Sequence, residues 1–228
     1  MTFITDRLFV PILKGKLTGK KWLINAGGKI LRLMFSTYEP EQTALFETYI
    51  KPGKVVFDIG AHAGYYTLLS SVIVGAEGKV LAFEPNPCNY RNLVNNVKIN
   101  RLGNVEMLET AVSDENGHSF FESGSGTGTG RLTSEGCIKV RTVRLDDLVV
   151  ERNIRPDFMK IDTEGAEMLV LRGARQVLIE SRPTLFLSTH GKEVHEKCCA
   201  FLTDLKYDIK PILGNDVNNS SELICYPI

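Results

Sequence analysis

The sequence predicts an α/β fold in which a mostly parallel seven-stranded sheet carries helices on both faces, ends in an antiparallel hairpin and follows a small N-terminal helical extension. Three observations predict it. From Lys54 onward, short apolar or β-branched runs alternate with stretches of helical periodicity. The turn Asp58-Ile59-Gly60-Ala61-His62-Ala63-Gly64 leads from an apolar strand straight into a helix, as in open parallel sheets. Near the end, two strand-like runs flank residues 214–221, which are rich in Gly, Asn, Asp and Ser and so favour a hairpin turn.

Taken in order, residues 3–33 mix apolar side chains with Lys14, Lys16, Lys20, Lys21, Lys29 and Arg32, and are interrupted by Pro11, Gly15 and Gly27-Gly28. A broken helix is expected, packed on the domain through its apolar side. Contact of its basic face with a membrane surface is the alternative. Tyr38-Glu39-Pro40 opens a helix through Leu45, Phe46 and Tyr49, because Pro suits a first helical turn, and Pro52-Gly53 ends it. Residues 1–50 are thus an extension or cap, and residues 51–228 the main domain.

Strands are expected at Val55–Ile59, Lys79–Phe83, 105–110, Phe158–Ile161 and Thr184–Ser188, with the terminal hairpin formed by residues 207–213 and Glu222–Pro227. Helices are expected at Tyr65–Val74, 88–100, 166–171 with a continuation to 179, and 193–205. Between the third and fourth core strands, residues 119–122 and Ile138–Val143 read as short strands around a Gly-rich run at 123–130. G-x-G-x-x-G fails from both Gly124 and Gly126, so this run is expected to be a hairpin loop and a candidate lid rather than a dinucleotide site.

Composition narrows the partners. Lys plus Arg and Asp plus Glu are both 27 in 228 residues, so no global charge draws the chain to nucleic acid. No apolar run approaches the ~20 residues of a membrane-spanning helix. The five cysteines (Cys88, Cys137, Cys198, Cys199, Cys225) are odd in number and lack C-x-x-C spacing, which leads us to expect a reducing compartment, the cytoplasm. Oligomeric state is not legible.

The chemistry concentrates at the first strand-to-helix turn. Gly60 is expected to let the backbone approach a ligand, Gly64 to let helix and sheet pack closely, and the helix N-terminus to offer N–H groups to an anion. Asp58 would repel a pyrophosphate but can pair with an ammonium, and Thr67 adds a hydroxyl. Glu84, closing the next strand, can accept both hydroxyls of a ribose. A ligand with a ribose, an ammonium and a single carboxylate is S-adenosylmethionine (SAM). The spacing D-x-G-x-x-x-G disfavours NAD.

Tyr38-Glu39-Pro40, the stretch from Val56 to Thr67, Phe83-Glu84-Pro85-Asn86-Pro87 and Lys160-Ile161-Asp162-Thr163-Glu164-Gly165-Ala166-Glu167 together resemble the FkbM family of SAM-dependent methyltransferases. The resemblance runs from about Tyr38 to Gly191 in the right order. It implies a Rossmann-like class I methyltransferase fold and O-methylation of a hydroxyl on a sugar or secondary metabolite. In two places the sequence departs from the family pattern. His62 stands where the family commonly has Asn, and Ser188-Thr189-His190 where E-x-H is usual.

The expected cofactor-binding set is Asp58, Gly60, Ala61, His62, Gly64, Tyr66, Thr67, Glu84, Pro85, Asn86, Ala111 and Asp162. Methyl transfer from a sulfonium is an in-line displacement that needs the acceptor oxygen ~3 Å from the methyl carbon. A base, worth about 10²–10⁴-fold, or a metal must help a neutral hydroxyl. Asp162, Glu164 and His190 close the fourth and fifth strands and are the expected catalytic residues, with His190 the base because imidazole titrates near neutrality. Whether these three also bind a divalent metal is left open. The partner is then a small molecule or glycan with a free hydroxyl. Two other classes stay open: a domain that binds SAM without turnover, and an NAD-dependent oxidoreductase.

Overall fold

The computed structural model describes residues 8–26, 30–122, 131–133 and 138–228. Its main sheet comprises β3 (Val55–Ile59), β4 (Lys79–Phe83), β5 (Val105–Leu108), β10 (Phe158–Ile161), β11 (Thr184–Ser188), β12 (Tyr207–Pro211) and β13 (Glu222–Pro227). Their spatial order is β12-β13-β11-β10-β3-β4-β5. Neighbours from β11 through β5 run parallel, and β13 is antiparallel to both β11 and β12. The chain leaves β3 toward β4 and β5, then returns on the other side of β3 through β10, so the topological switch point lies between β3 and β10. In open α/β sheets, ligands bind beyond the carboxyl ends of the strands at this place.

Alternate residues of each strand feed two cores, as the two-residue period requires. Phe57, Ile59, Met159, Ile161, Leu185 and Leu187 face α5 (Leu145–Arg152), α6 (Glu167–Gly173), α7 (Arg175–Glu180) and α8 (Lys192–Asp204). Val56, Val80, Ala82, Phe158 and Phe186 face α2 (Pro40–Tyr49), α3 (Tyr65–Val74) and α4 (Pro87–Ile99). The same parity puts Asp58 and Lys160, which are register partners, on the α3 side.

Several elements differ from expectation. The extension is not a broken helix: β1 (Phe9–Pro11) pairs antiparallel with β2 (Lys21–Leu23), followed by a 3-10 turn and the short α1 (Ile30–Met34). Gly15 and Gly19, with φ of 75° and 83°, let residues 12–20 turn back instead of coiling. Ile12, Leu17, Trp22 and Leu33 are buried in the same core as Leu69, Leu93 and Val97, so the extension is packed on the main domain. Asn96 on α4 accepts from the Leu23 amide at 2.8 Å and fixes that docking.

The strand expected over 105–110 breaks after Leu108, and β6 (Ala111–Val112) joins a second sheet with β7 (Gly117–Glu122), β8 (Arg131–Thr133) and β9 (Ile138–Val143), in the order β6-β9-β7-β8. The expected helix from 166 to 179 splits at Ala174 into α6 and α7. Helix α5 was not anticipated. The Gly-rich run at 123–130, expected as a loop and lid, lies outside the described residues, as does Cys137.

Candidate active site

A cavity of about 570 Å³ opens at the carboxyl ends of β3, β4, β10 and β11, within the roughly 300–1,000 Å³ of small-molecule sites. Of the predicted residues, Gly60, Ala61, His62, Tyr66, Glu84, Pro85, Ala111, Asp162, Glu164 and His190 line it. Asp58, Gly64, Thr67 and Asn86 do not. Sequence reasoning, which assigned part of the acceptor pocket to the N-terminal segment as a whole, singled out none of several further wall residues: Trp22, Leu33, Tyr38 and Glu39 from the extension, Lys160 from β10 and Glu222 from β13. Lys160 and Glu39 lay inside the quoted motifs, whereas Glu222 gave no signal.

Asp58 is 1% exposed, because strand parity turns it into the α3 side of the sheet. Its Oδ2 accepts from Thr67 Oγ1 at 2.5 Å, and Lys160 Nζ lies 3.6 Å from Oδ1. Asp58 and Thr67, expected to touch a ligand directly, thus lie behind the cavity wall, bonded to each other and with Lys160 beside Asp58. Lys160 also donates to the Gly60 carbonyl at 3.1 Å and lies 3.4 Å from Asp162 Oδ2. Burial disfavours its charge, but Asp162 and Asp58 outweigh that and hold the ammonium above its ordinary value. A buried ion pair thus sits beneath the cavity floor and ties β3 to β10.

The role foreseen for Gly60 also changes. With φ at 79°, it brings the turn against the β10 exit, and a Cβ there would lie 1.8 Å from the Asp162 carbonyl oxygen. Gly64, expected to let helix and sheet pack closely, instead makes room for a neighbouring helix: a Cβ there would lie 2.5 Å from Leu93 Cδ1 of α4. Helix α3 starts at Gly64 with no side-chain cap, which leaves its first amides for an anion.

At the β4 end, Glu84 is 5% exposed. Its Oε2 accepts from the His62 amide at 2.8 Å and its Oε1 from the Asn86 amide at 2.9 Å. Burial raises its carboxyl to about 7, against these donors. His62 has φ of 50°, a region that Asn and His enter more readily than most residues, which accounts for either at this position. Asn86 acts as the N-cap of α4, accepting from the amides of Cys88 and Asn89.

The opposite end is acidic. Tyr66 donates to Glu39 Oε2 at 2.6 Å, and Ser188 donates to Glu222 Oε2 at 2.7 Å. His190 Nδ1 lies 3.0 Å from Glu167 Oε1, while its Nε2 lies 3.8 Å from Asp162 Oδ1 and 3.5 Å from Glu164 Oε2. Glu167 is fully buried, and its Oε1 also accepts from the amides of Thr163 at 3.2 Å and Gly165 at 2.9 Å. This buried carboxylate fixes both the imidazole and the loop between β10 and α6. The hydrogen bond to Glu167 raises His190 to about 9, against partial burial and with help from Asp162 and Glu164. This upward direction runs against the premise that His190 titrates near neutrality and favours its protonated form. Burial raises the Glu164 carboxyl, with His190 pulling the other way.

The family model described as the methyltransferase FkbM domain matches residues 58–209. The chain is 31% identical over 127 residues to the hexuronic acid methyltransferase AglP of Haloferax volcanii, covering 54% of this chain and 51% of that one. It is 26% identical over 167 residues to the 2-O-methyltransferase NoeI of Sinorhizobium fredii, covering 64% of this chain and 67% of that one. The chain therefore spans about half the length of the first relative. A crystal structure of methyltransferase FkbM from Methylobacillus flagellatus matches with a TM-score of 0.58 at 15% identity, over 81% of this chain and 50% of that one. Fibrillarin of Aeropyrum pernix, solved with natively bound S-adenosyl-L-methionine, matches with a TM-score of 0.52 at 17% identity, over 82% and 73%. At these identities the likeness establishes the class I methyltransferase fold. No helix among the described residues is long and apolar enough to cross a membrane.

Proposed function

The chain belongs to the FkbM family of methyltransferases, and from that premise we propose that it transfers the methyl group of SAM to a hydroxyl of a sugar or secondary metabolite. The observation that carries this reading is one cavity with two chemically different ends. At the β4 end, Glu84 offers its carboxylate to the ribose diol, beside Ala61, His62, Pro85 and Ala111. The uncapped start of α3 offers amides to the methionine carboxylate. Asp58, Thr67 and Lys160 act from behind, holding Gly60 and Asp162 in place.

A donor held there would have Asp162, Glu164 and His190 at the other end of the cavity, where these residues would hold the acceptor oxygen in line with the leaving sulfur. That oxygen's lone pair would form the new O–C bond as the C–S pair returns to sulfur, with the hydroxyl proton passing to solvent. The names of the two relatives, one a hexuronic acid methyltransferase and the other a 2-O-methyltransferase, support a sugar hydroxyl as acceptor. Incubating the purified chain with methyl-labelled SAM and a panel of hydroxylated sugars and natural products tests this. One methyl gained on oxygen is expected. Micromolar NAD binding with no heat from S-adenosylhomocysteine would overturn the reading.

A further inference from the structure

We propose that Asp162, Glu164 and His190 form a divalent-cation site in which the bound cation grips and acidifies the acceptor hydroxyl. This rests on the methyltransferase reading for its purpose, and on geometry for its existence. One ligand atom from each side chain lies within 4.8 Å of the others, and Nε2 of His190 is 3.8 Å and 3.5 Å from the two carboxylate oxygens. With metal–ligand bonds of about 2.1 Å, neighbouring ligand atoms stand about 3.0–3.4 Å apart. Closing the two spacings about Nε2 takes shifts of a few tenths of an ångström, and drawing the two carboxylates together from within 4.8 Å takes up to about 1.5 Å, a rotamer-scale movement for side chains that are each about one third exposed. The same exposure leaves coordination positions open toward the cavity, where the acceptor must lie.

A second observation comes from behind the ligands. Glu167, 0% exposed, holds Nδ1 of His190 and so aims Nε2 at the two carboxylates. A buried carboxylate on the far nitrogen is the usual outer partner of a metal-bound imidazole. The same oxygen of Glu167 grips the amides of Thr163 and Gly165, on either side of Glu164, so one buried group sets two of the three ligands. The other oxygen, Oε2, is buried without a hydrogen-bond partner, which leaves this centre rich in negative charge. Among the described wall residues, Lys160 supplies the one ammonium, and it is spent between Asp58, Asp162 and the Gly60 carbonyl. Glu39 and Glu222 add two more carboxylates to the same end.

Two carboxylates and one imidazole, open to water, suit Mg²⁺ or Mn²⁺ rather than a soft thiolate-seeking ion. The cation takes the place of the Nε2 proton, which goes to solvent. The acceptor hydroxyl occupies an open position, loses its proton to solvent and attacks the methyl carbon.

The experiment is a titration of the full chain, stripped with chelator and free of nucleotide, with Mn²⁺ read by the loss of its free electron-spin signal. One site is expected, with a dissociation constant below about 1 mM. Glu164→Gln should weaken it at least tenfold, and Glu167→Gln by about 10–100-fold through the outer contact. Unchanged circular dichroism and S-adenosylhomocysteine binding in Glu164→Gln would show that the fold survives. Absence of stoichiometric Mn²⁺ binding, or a site untouched in both variants, overturns the proposal. Failures of the two readings are separable. Full methyl transfer after chelation would remove the cation and leave the methyltransferase standing, whereas a chain that binds Mn²⁺ but no S-adenosylhomocysteine would remove the donor reading alone.

Discussion

Donor binding should depend on pH through Glu84. Only its carboxylate can accept two hydrogen bonds from a ribose diol, because the neutral acid spends one oxygen as a donor. Burial raises the carboxyl to about 7, so the ionised fraction climbs from about 0.1 at pH 6 to about 0.9 at pH 8. An apparent dissociation constant scales inversely with the competent fraction, so affinity for S-adenosylhomocysteine should rise about tenfold over those two pH units. The sign follows from the shift. Burial favours the protonated form, the ligand's hydroxyls favour the ionised one, and binding therefore releases a proton. Isothermal titration at pH 6, 7 and 8, in buffers of differing ionisation enthalpy, should count nearly one proton released at pH 6 and almost none at pH 8. Glu84→Gln should bind more weakly by about 1.5–3 kcal/mol at pH 8, the value of a charge-assisted hydrogen bond, and lose the pH dependence. A flat profile in the wild-type chain, or the same slope in Glu84→Gln, would refute the assignment. The variant also controls for the ligand's own amino group.

Two further outcomes concern the floor of the site. Lys160→Met strips Asp58 of its ammonium while Asp58 stays 1% exposed, and should cost about 3–5 kcal/mol in urea unfolding, with Asp58→Asn in the same chain restoring part of it; a loss under about 1 kcal/mol would show that the pair does not tie β3 to β10. Gly60→Ala places a methyl on the Asp162 carbonyl and should weaken S-adenosylhomocysteine binding at least tenfold. Gly53→Ala, also at positive φ but facing open space, should show only the ~1–2 kcal/mol of left-handed strain and unchanged ligand affinity, so equal binding losses in the two variants would contradict the contact.

What the sequence made legible, and what it did not, follows from which forces act locally. The strands β3, β4, β10 and β11 lie where the pattern puts them, because each is a run of four or five largely apolar residues bounded by turn formers. Helix α5 escaped notice because its N-cap is Arg144, with no side-chain cap bond. The one local mark of a start is the acidic pair Asp146 and Asp147 in its first turn, while Asn116, in the bend between β6 and β7, accepts from the Arg144 amide. The extension misled because its apolar spacing mimics a helix, while Gly15 and Gly19 turn the chain back.

The site divides along the same line. Glu84, Asp162 and His190, named from the carboxyl ends of parallel strands, all line the cavity, since a strand's end can be read from its own residues. The direction of a side chain cannot be read without register. Asp58 heads the motif, yet parity turns it toward α3, and only the pairing of β3 with β10 reveals Lys160 as its partner. Glu222 shows the limit most clearly. Because β13 runs antiparallel beside β11, its first residue, not its last, lies at the rim, opposite Ser188. A rim carboxylate at the start of a strand leaves no mark in a sequence scanned for strand ends. Its hydrogen bond from Ser188 is a contact of 34 residues' separation that only the return of the chain creates.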